Sequence, residues 1–233
     1  MSNVVCEDFL PRALPTKWAR IVGKPGMQAL GAIGRALDSQ PAEKALLTPT
    51  PERILRAFEL PPENVKVIIV GQDPYPGEGH ASGLAFSPHT GLKTLPPSLR
   101  NIARELHDDV AITVPPDGDL SPWVSQGVLL LNRHLTTLVG QTGAHRHLGW
   151  KAFTDSVIGG LVRSGSHCGA LLWGREAQQL TPLMGPNPIV ASAHPSPLSA
   201  HRGFLGSRPF SRINDYRVRA GQEKIDWSLE DKH

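Results

Sequence analysis

At 233 residues the chain is long enough for one sizeable domain and short for two. Hydrophobic residues at 39% and charged residues at 19% are ordinary for a globular protein, and no apolar run approaches the ~20 residues that cross a bilayer. Two distant cysteines, Cys6 and Cys168, argue against a disulfide framework, a cysteine zinc site and a four-cysteine iron–sulfur cluster, while a net charge of +3 leaves room for an anionic partner.

The opening stretch, 1–23, scatters Asp8, Arg12, Lys17 and Arg20 among apolar residues and lacks the apolar block and cleavage site of a secretory signal. A cytoplasmic protein with no cofactor, no metal and no membrane attachment is the expectation. Thr50-Pro51 opens the first predicted helix, with proline at its first position and Ile54, Leu55 and Phe58 behind it. The run 65–70 (VKVIIV) is the first of four short apolar segments. Next, Leu99, Ile102, Ala103, Leu106 and Val110 recur at helical spacing, with Ser98 as N-cap. The runs 128–131 (VLLL), 170–173 (ALLW) and 188–193 (PIVASA) follow, separated by a helical stripe of Phe153, Val157, Ile158 and Leu161; a last helix is predicted over 210–218. Apolar runs that mostly lack polar alternation read as strands buried on both faces. Strands alternating with helices predict an α/β fold: a single three-layer α/β/α domain around a mostly parallel four-stranded sheet.

In open sheets of this kind ligands bind beyond the carboxyl ends of the strands. The residues found there are Gly71-Gln72-Asp73-Pro74-Tyr75-Pro76-Gly77, then Asn132, then Gly174-Arg175, then His194-Pro195-Ser196-Pro197-Leu198-Ser199. Singly, an aspartate in a Pro/Gly loop is a turn residue, an asparagine after a strand a cap, and an isolated histidine structural. Jointly they bring an acid, an amide and an imidazole to one edge. Farther on, Arg202, Arg208, Arg212, Arg217 and Arg219 face a single acid, Asp215, either as a solvated helix surface or as a phosphate-facing patch. No Gly-x-Ser-x-Gly elbow, Gly-x-Gly-x-x-Gly fingerprint or P-loop is present, which disfavours serine-hydrolase, dinucleotide and NTP chemistry.

From about residue 46 to 227 these segments resemble the family-one uracil-DNA glycosylases, with motifs in that family's order and spacing. The segment 71–87 (GQDPYPGEGHASGLAFS) resembles its water-activating loop, with Phe86 at the base-stacking position. Pro96-Pro97-Ser98-Leu99 resembles its proline-rich loop, and Leu129-Leu130-Leu131-Asn132 its uracil-reading strand end. HPSPLS (194–199) with Arg202-Gly203-Phe204 resembles its DNA-intercalation loop, and Phe210-Ser211, Asn214 and Ile225-Asp226-Trp227 its closing signature. The resemblance implies a single domain with a more variable 1–45, and a monomer acting on uracil in single- or double-stranded DNA. It further implies that a DNA-mimicking protein inhibitor could bind the same groove. It makes Asp73 and His194 catalytic and Gln72, Tyr75, Phe86 and Asn132 substrate-binding. Pro97, Ser98, Gly174, Arg175, Ser196, Pro197, Leu198, Ser199 and Arg202 become DNA contacts, and His145-Arg146-His147 a loop or DNA-facing basic segment rather than a metal pair. Two positions depart from the family: Pro76 stands where histidine is common, removing a polar side chain near Asp73, and Arg175 where serine is often a phosphate contact.

The implied chemistry is coherent. Asn132 could donate to uracil O4 and accept from N3; cytosine reverses both groups, at ~1–3 kcal/mol for each buried polar atom left unpaired. Thymine shares that polar edge, so only a steric wall, assigned to Tyr75, rejects its 5-methyl group. Breaking the glycosidic bond leaves positive charge on the sugar and negative charge on uracil, which calls for the Asp73 anion near the first and a His194 donor near uracil O2. The strand-end motifs hold no second acid of the sugar-hydrolase kind and no Schiff-base lysine, so the expected product is an abasic site in an uncut strand. A non-catalytic DNA binder would not need Asp73, Asn132 and His194 together, and Tyr75 argues against a broader mismatch glycosylase.

Overall fold

The structure, a computed structural model, describes residues 6–40, 46–89, 92 and 94–229. Two helices, α1 (Cys6–Ala13) and α2 (Thr16–Asp38), precede a two-residue strand β1 (Leu47–Thr48). Then come β2 (Val67–Gly71), α3 (Pro97–Val110), α4 (Ser121–Ser125), β3 (Val128–Asn132), a second two-residue strand β4 (Thr137–Leu138) and α5 (Trp150–Arg163). The chain closes with β5 (Gly169–Trp173), a short α6 (Arg175–Gln178), β6 (Ile189–Ser192) and α7 (Pro209–Arg219). The main sheet runs β3-β2-β5-β6 with every neighbour parallel, so all four carboxyl ends meet at one edge.

Alternation along β5 separates the two faces. Gly169 and Trp173 face α7: a Cβ on Gly169 would meet Ile213, and Trp173 packs on Phe204 and Phe210. α3 packs on α7 in that layer, where Trp123, Phe210 and Trp227 extend the edge-on aromatic packing. On the opposite side α2 packs on both α1 and α5, and Trp18, Phe58, Phe153 and Trp150 form a second aromatic chain. Helices thus cover the sheet on two faces, as the alternation of elements predicts. β2, β3 and β5 are buried throughout, whereas β6 is an edge strand with Ala191 exposed, so the double burial expected for 188–193 does not hold there. Among the described residues no helix is long and apolar enough to cross a membrane.

Two local expectations need correction. The helix at Thr50-Pro51 is instead two 3-10 turns, Pro51–Arg53 and Arg56–Glu59, broken at Leu55 (φ −101°, ψ 15°). Ile54, Leu55, Ala57 and Phe58 are all buried. Ser98 is not an N-cap: Pro96 holds that position, Pro97 begins α3 and no side chain caps it. The N-terminal helices follow a buried stripe of Trp18, Val22, Gly26, Leu30, Ile33 and Leu37, disguised in the sequence by Gly23 and Pro25. Gly23 takes φ 63°, which breaks α2 without ending its packing.

Candidate active site

Parallel pairing places Gly71 directly opposite Asn132. A Cβ on Gly71 would come within 2.2 Å of Asn132 Oδ1, so glycine is required for the amide to reach the edge. Pairing continues past the strand ends, with Arg133 N–H donating to Gly71 O (2.9 Å) and His134 N–H to Gln72 O (3.0 Å). That continuation fixes Gln72 and Asp73 beside the β3 terminus. Asn132 is buried, and its carboxamide hydrogen-bonds to no other described residue.

His194 emerges two residues after β6 in a loop tied at several points. Asn101 of α3 donates to Pro195 O (2.7 Å), Ser199 Oγ donates to His194 O (2.8 Å), and the Ser196 and Ser199 hydroxyls lie 2.9 Å apart. Farther along, buried Glu105 accepts the Gly206 and Arg208 N–H groups at 2.6 and 2.8 Å. Asp109 accepts those of Phe210 and Ser211, both at 2.9 Å, neutralising the positive start of α7. Asn101, Glu105 and Asp109 recur every fourth residue, so one face of α3 pins the whole loop. At its tip Leu198 is 82% exposed. Ser196 N–H donates to His194 Nδ1 at 3.0 Å, so the imidazole proton sits on Nε2. Burial holds the His194 pKa below the ordinary histidine value, and the ring is a neutral Nε2–H donor at neutral pH.

Asp73 is 3% exposed at its side chain. Burial pushes its pKa up, but His134, Arg146 and Gln72 outweigh that and hold it below the usual carboxylate value. Gln72 Nε2 donates to Oδ2 at 2.9 Å, Arg146 Nη2 approaches the same oxygen at 3.5 Å, and His134 Nδ1 stands 2.9 Å from Oδ1. Tyr75 donates its hydroxyl to Phe86 O at 2.8 Å. That bond fixes the phenol ring, and burial raises the hydroxyl's pKa well above its ordinary value. Phe86 carries a positive φ of 62°, unusual for a bulky residue, and its ring lies 5.4 Å from Trp173 and 6.0 Å from His194.

A cavity of about 330 Å³ brings together Gln72, Asp73, Tyr75, Phe86, Asn132 and His194, with Pro97, Ser98 and Pro197 also lining it. Gly174 and Arg175 line a smaller cleft that shares Gln72 and His194 with it. Ser196, Leu198 and Ser199 sit on the same loop as His194, and Arg202 is exposed just beyond them, ending a 3-10 turn. The five arginines do not form one phosphate-facing patch. Arg208 pairs with Asp109, Arg212 donates to Ser207 O, and buried Arg217 donates to Glu223 O and Lys66 O. Lys66 precedes β2 at the edge away from the cavity, so Arg217 is structural.

The family model of the uracil DNA glycosylase superfamily matches residues 57–216. The chain belongs to that superfamily. It is 48% identical over 212 residues to "Uracil-DNA glycosylase 1" of Streptomyces avermitilis, covering 91% of this chain and 94% of that protein. It is 46% identical over 220 residues to the uracil-DNA glycosylase of Thermobifida fusca, covering 94% and 96%. A mimivirus UNG variant solved in complex with UGI superposes with a TM-score of 0.80 at 28% identity, covering 86% of this chain and 83% of that one. The mimivirus uracil-DNA glycosylase itself matches the fold with a TM-score of 0.81 over 98% and 95% of the two chains, at 24% identity.

Within this superfamily chain, sequence reasoning overlooked His134 and the α3 anchors Asn101, Glu105 and Asp109, and it left the contact of Arg146 with Asp73 unforeseen. His134 was legible in principle: it lies only two residues beyond Asn132, at the same strand end. The α3 residues carried no comparable signal, because their partners lie about a hundred positions away.

Proposed function

We propose that the protein excises uracil from DNA: it turns the uracil nucleotide out of the helix and hydrolyses the bond between base and deoxyribose, leaving an abasic site in an uncut strand. The observation that carries this is the convergence of Asp73, Asn132 and His194, from three strand ends, on one cavity at the small end of ligand-site volumes. Extruding a base costs about a few kcal/mol. Leu198, an exposed apolar tip on a pinned loop, suits the wedge that fills the vacated stack. Ser98 and Ser196 at the rim suit flanking phosphates, which position without reading sequence.

Inside the cavity Asn132 pairs with uracil O4 and N3, Phe86 stacks on the ring, and the fixed Tyr75 ring stands against a 5-methyl group. As the glycosidic bond breaks, its electron pair leaves with uracil. His194 Nε2–H donates to O2 as that oxygen gains charge, while the Asp73 carboxylate faces the developing sugar cation. Asp73 also orients the water whose oxygen bonds to the sugar and whose proton is released. A neutral imidazole suffices, since uracil departs as a stabilised anion. A protein presenting DNA-like negative charge would compete at the same rim; the mimivirus UNG–UGI complex supports this.

Incubation with a uracil-containing oligonucleotide, then alkali and a gel, tests the reading. Strand scission only after alkali is expected, with the cytosine and thymine lanes blank and no free uracil released from uracil-containing RNA. An intact uracil lane overturns the assignment, and scission without alkali overturns the monofunctional mechanism.

A further inference from the structure

We propose that His134 is a positioning residue for this reaction, holding the Asp73 carboxylate ionised and aimed at the sugar. This rests on the uracil-excision reading above. The His134 and Asp73 side chains are 2% and 3% exposed, and Nδ1 stands 2.9 Å from Oδ1, tilted off the line of an ideal hydrogen bond. An imidazole nitrogen that close to a carboxylate oxygen carries a proton. Catalytic hydrogen bonds are often misaligned before substrate arrives and tighten in the complex. Nε2 on the far side of the ring is buried with no partner among the described residues. An apolar side chain would fill this space without that cost, so a buried imidazole whose one polar neighbour among the described residues is the carboxylate at 2.9 Å calls for a reason, and the carboxylate provides one.

The geometry suggests what the ring does. Gln72 Nε2 holds Oδ2. A carboxylate held at one oxygen swings about its last torsion; held at both, it cannot. His134 closes the second hold from the strand that carries Asn132, so the base-reading amide and the charge-stabilising acid share one support. His134 thus reaches Asp73 from the segment after β3 rather than from the loop that carries the acid. The charged and titratable groups around Asp73 are His134, Arg146 from the loop before α5 and, lining the same cavity, Tyr75 and His194. Arg146 is 55% exposed, so water screens its charge, whereas the His134 contact is fully enclosed.

The test compares H134L, which fills the space, with H134N, whose amide keeps a donor at the Nδ1 position. H134L is expected to lower the single-turnover rate of uracil release on the order of 10-fold to 100-fold. It should also move the acid limb of the kcat/KM profile to higher pH, because Asp73 loses a contact that favours its charge. H134N should recover most of the rate and return the limb toward wild type. A purely structural histidine predicts the reverse order, with leucine tolerated and asparagine poor. Wild-type rate and acid limb in H134L overturn the proposal. If neither variant folds, nitrogen-15 NMR of histidine-labelled wild-type protein decides: one Nδ1-protonated ring must shift its signal in Asp73→Asn, and its absence is equally fatal. Wild-type protein that releases no uracil sinks the functional reading instead, so the two failures stay distinct.

Discussion

Replacing Gly174 with alanine should uncouple His194 from the rest of the site while leaving every proposed catalytic group chemically intact. Gly174 sits at φ 86°, ψ 170°, a region essentially reserved for glycine, and an L residue there costs about 1–3 kcal/mol. The new Cβ would stand 2.8 Å from His194 Cβ, about 0.6 Å short of ordinary contact at 3.4 Å, with the His194 Cα a further neighbour at 3.5 Å. His194 cannot swing aside freely, because Ser196 N–H holds its ring and the Ser199 hydroxyl its carbonyl. The strain is therefore shared between a thermal penalty and a shift of the imidazole by several tenths of an ångström. For a chain of this size each kcal/mol lowers Tm by roughly 2–4 °C, so a fall of about 2–12 °C is expected. Misplacement on this scale should slow single-turnover uracil release on the order of 10-fold to 100-fold. Scanning calorimetry and rapid-quench kinetics on one uracil oligonucleotide measure both. Wild-type Tm and rate in G174A would refute the claim that glycine is forced here by the approach of His194.

Three further outcomes are expected. Asp73→Asn should lower the single-turnover rate by roughly 10²–10⁴-fold while binding of uracil-containing DNA persists. The Asp73 pKa is lower folded than unfolded, so its contribution to stability is present above the ordinary aspartate value near ~3.9 and is lost as pH falls through the folded value. The asparagine variant should therefore show a shallower fall of Tm with pH in that acid window, and parallel curves would remove Asp73 from the balance. Tyr75→Ala should release thymine from T-containing oligonucleotides; undetectable thymine would put the gate elsewhere. Arg202→Ala should flatten the log–log salt dependence of DNA binding by about one unit of slope, and Arg219→Ala should leave it unchanged. The opposite ranking would restore the far end of α7 to the DNA surface.

How much could be read from the sequence depended on how local the determinants were. β2, β3 and β5 announced themselves because burial on both faces leaves an unbroken apolar run, as in VLLL, and the strand ends, with that of β6, then pointed to Asp73, Asn132 and His194. Backbone chemistry set by neighbours in space was invisible. Nothing about Thr50-Pro51 distinguishes an α-helix from two 3-10 turns; the break falls at Leu55, itself a buried apolar residue of the kind that continues a helix. The arginine run misled for a related reason. Charge counted along the chain suggested one surface, yet α7 carries Arg217 inward to carbonyls at the opposite edge of the sheet while Arg202 stays in the loop beside the cavity.

The same contrast bears on the proline at position 76. A buried carboxylate needs donors, but their origin in the chain is immaterial; what matters is that they arrive at its oxygens. Parallel register brings β3 alongside β2, and the backbone N–H groups of Arg133 and His134 then bond the carbonyls of Gly71 and Gln72, which brings the His134 side chain to Asp73. The support for the acid thus comes from Gln72 within the motif that contains it and from His134 and Arg146 outside that motif, so a change at one position of GQDPYPG can be offset from elsewhere in the chain.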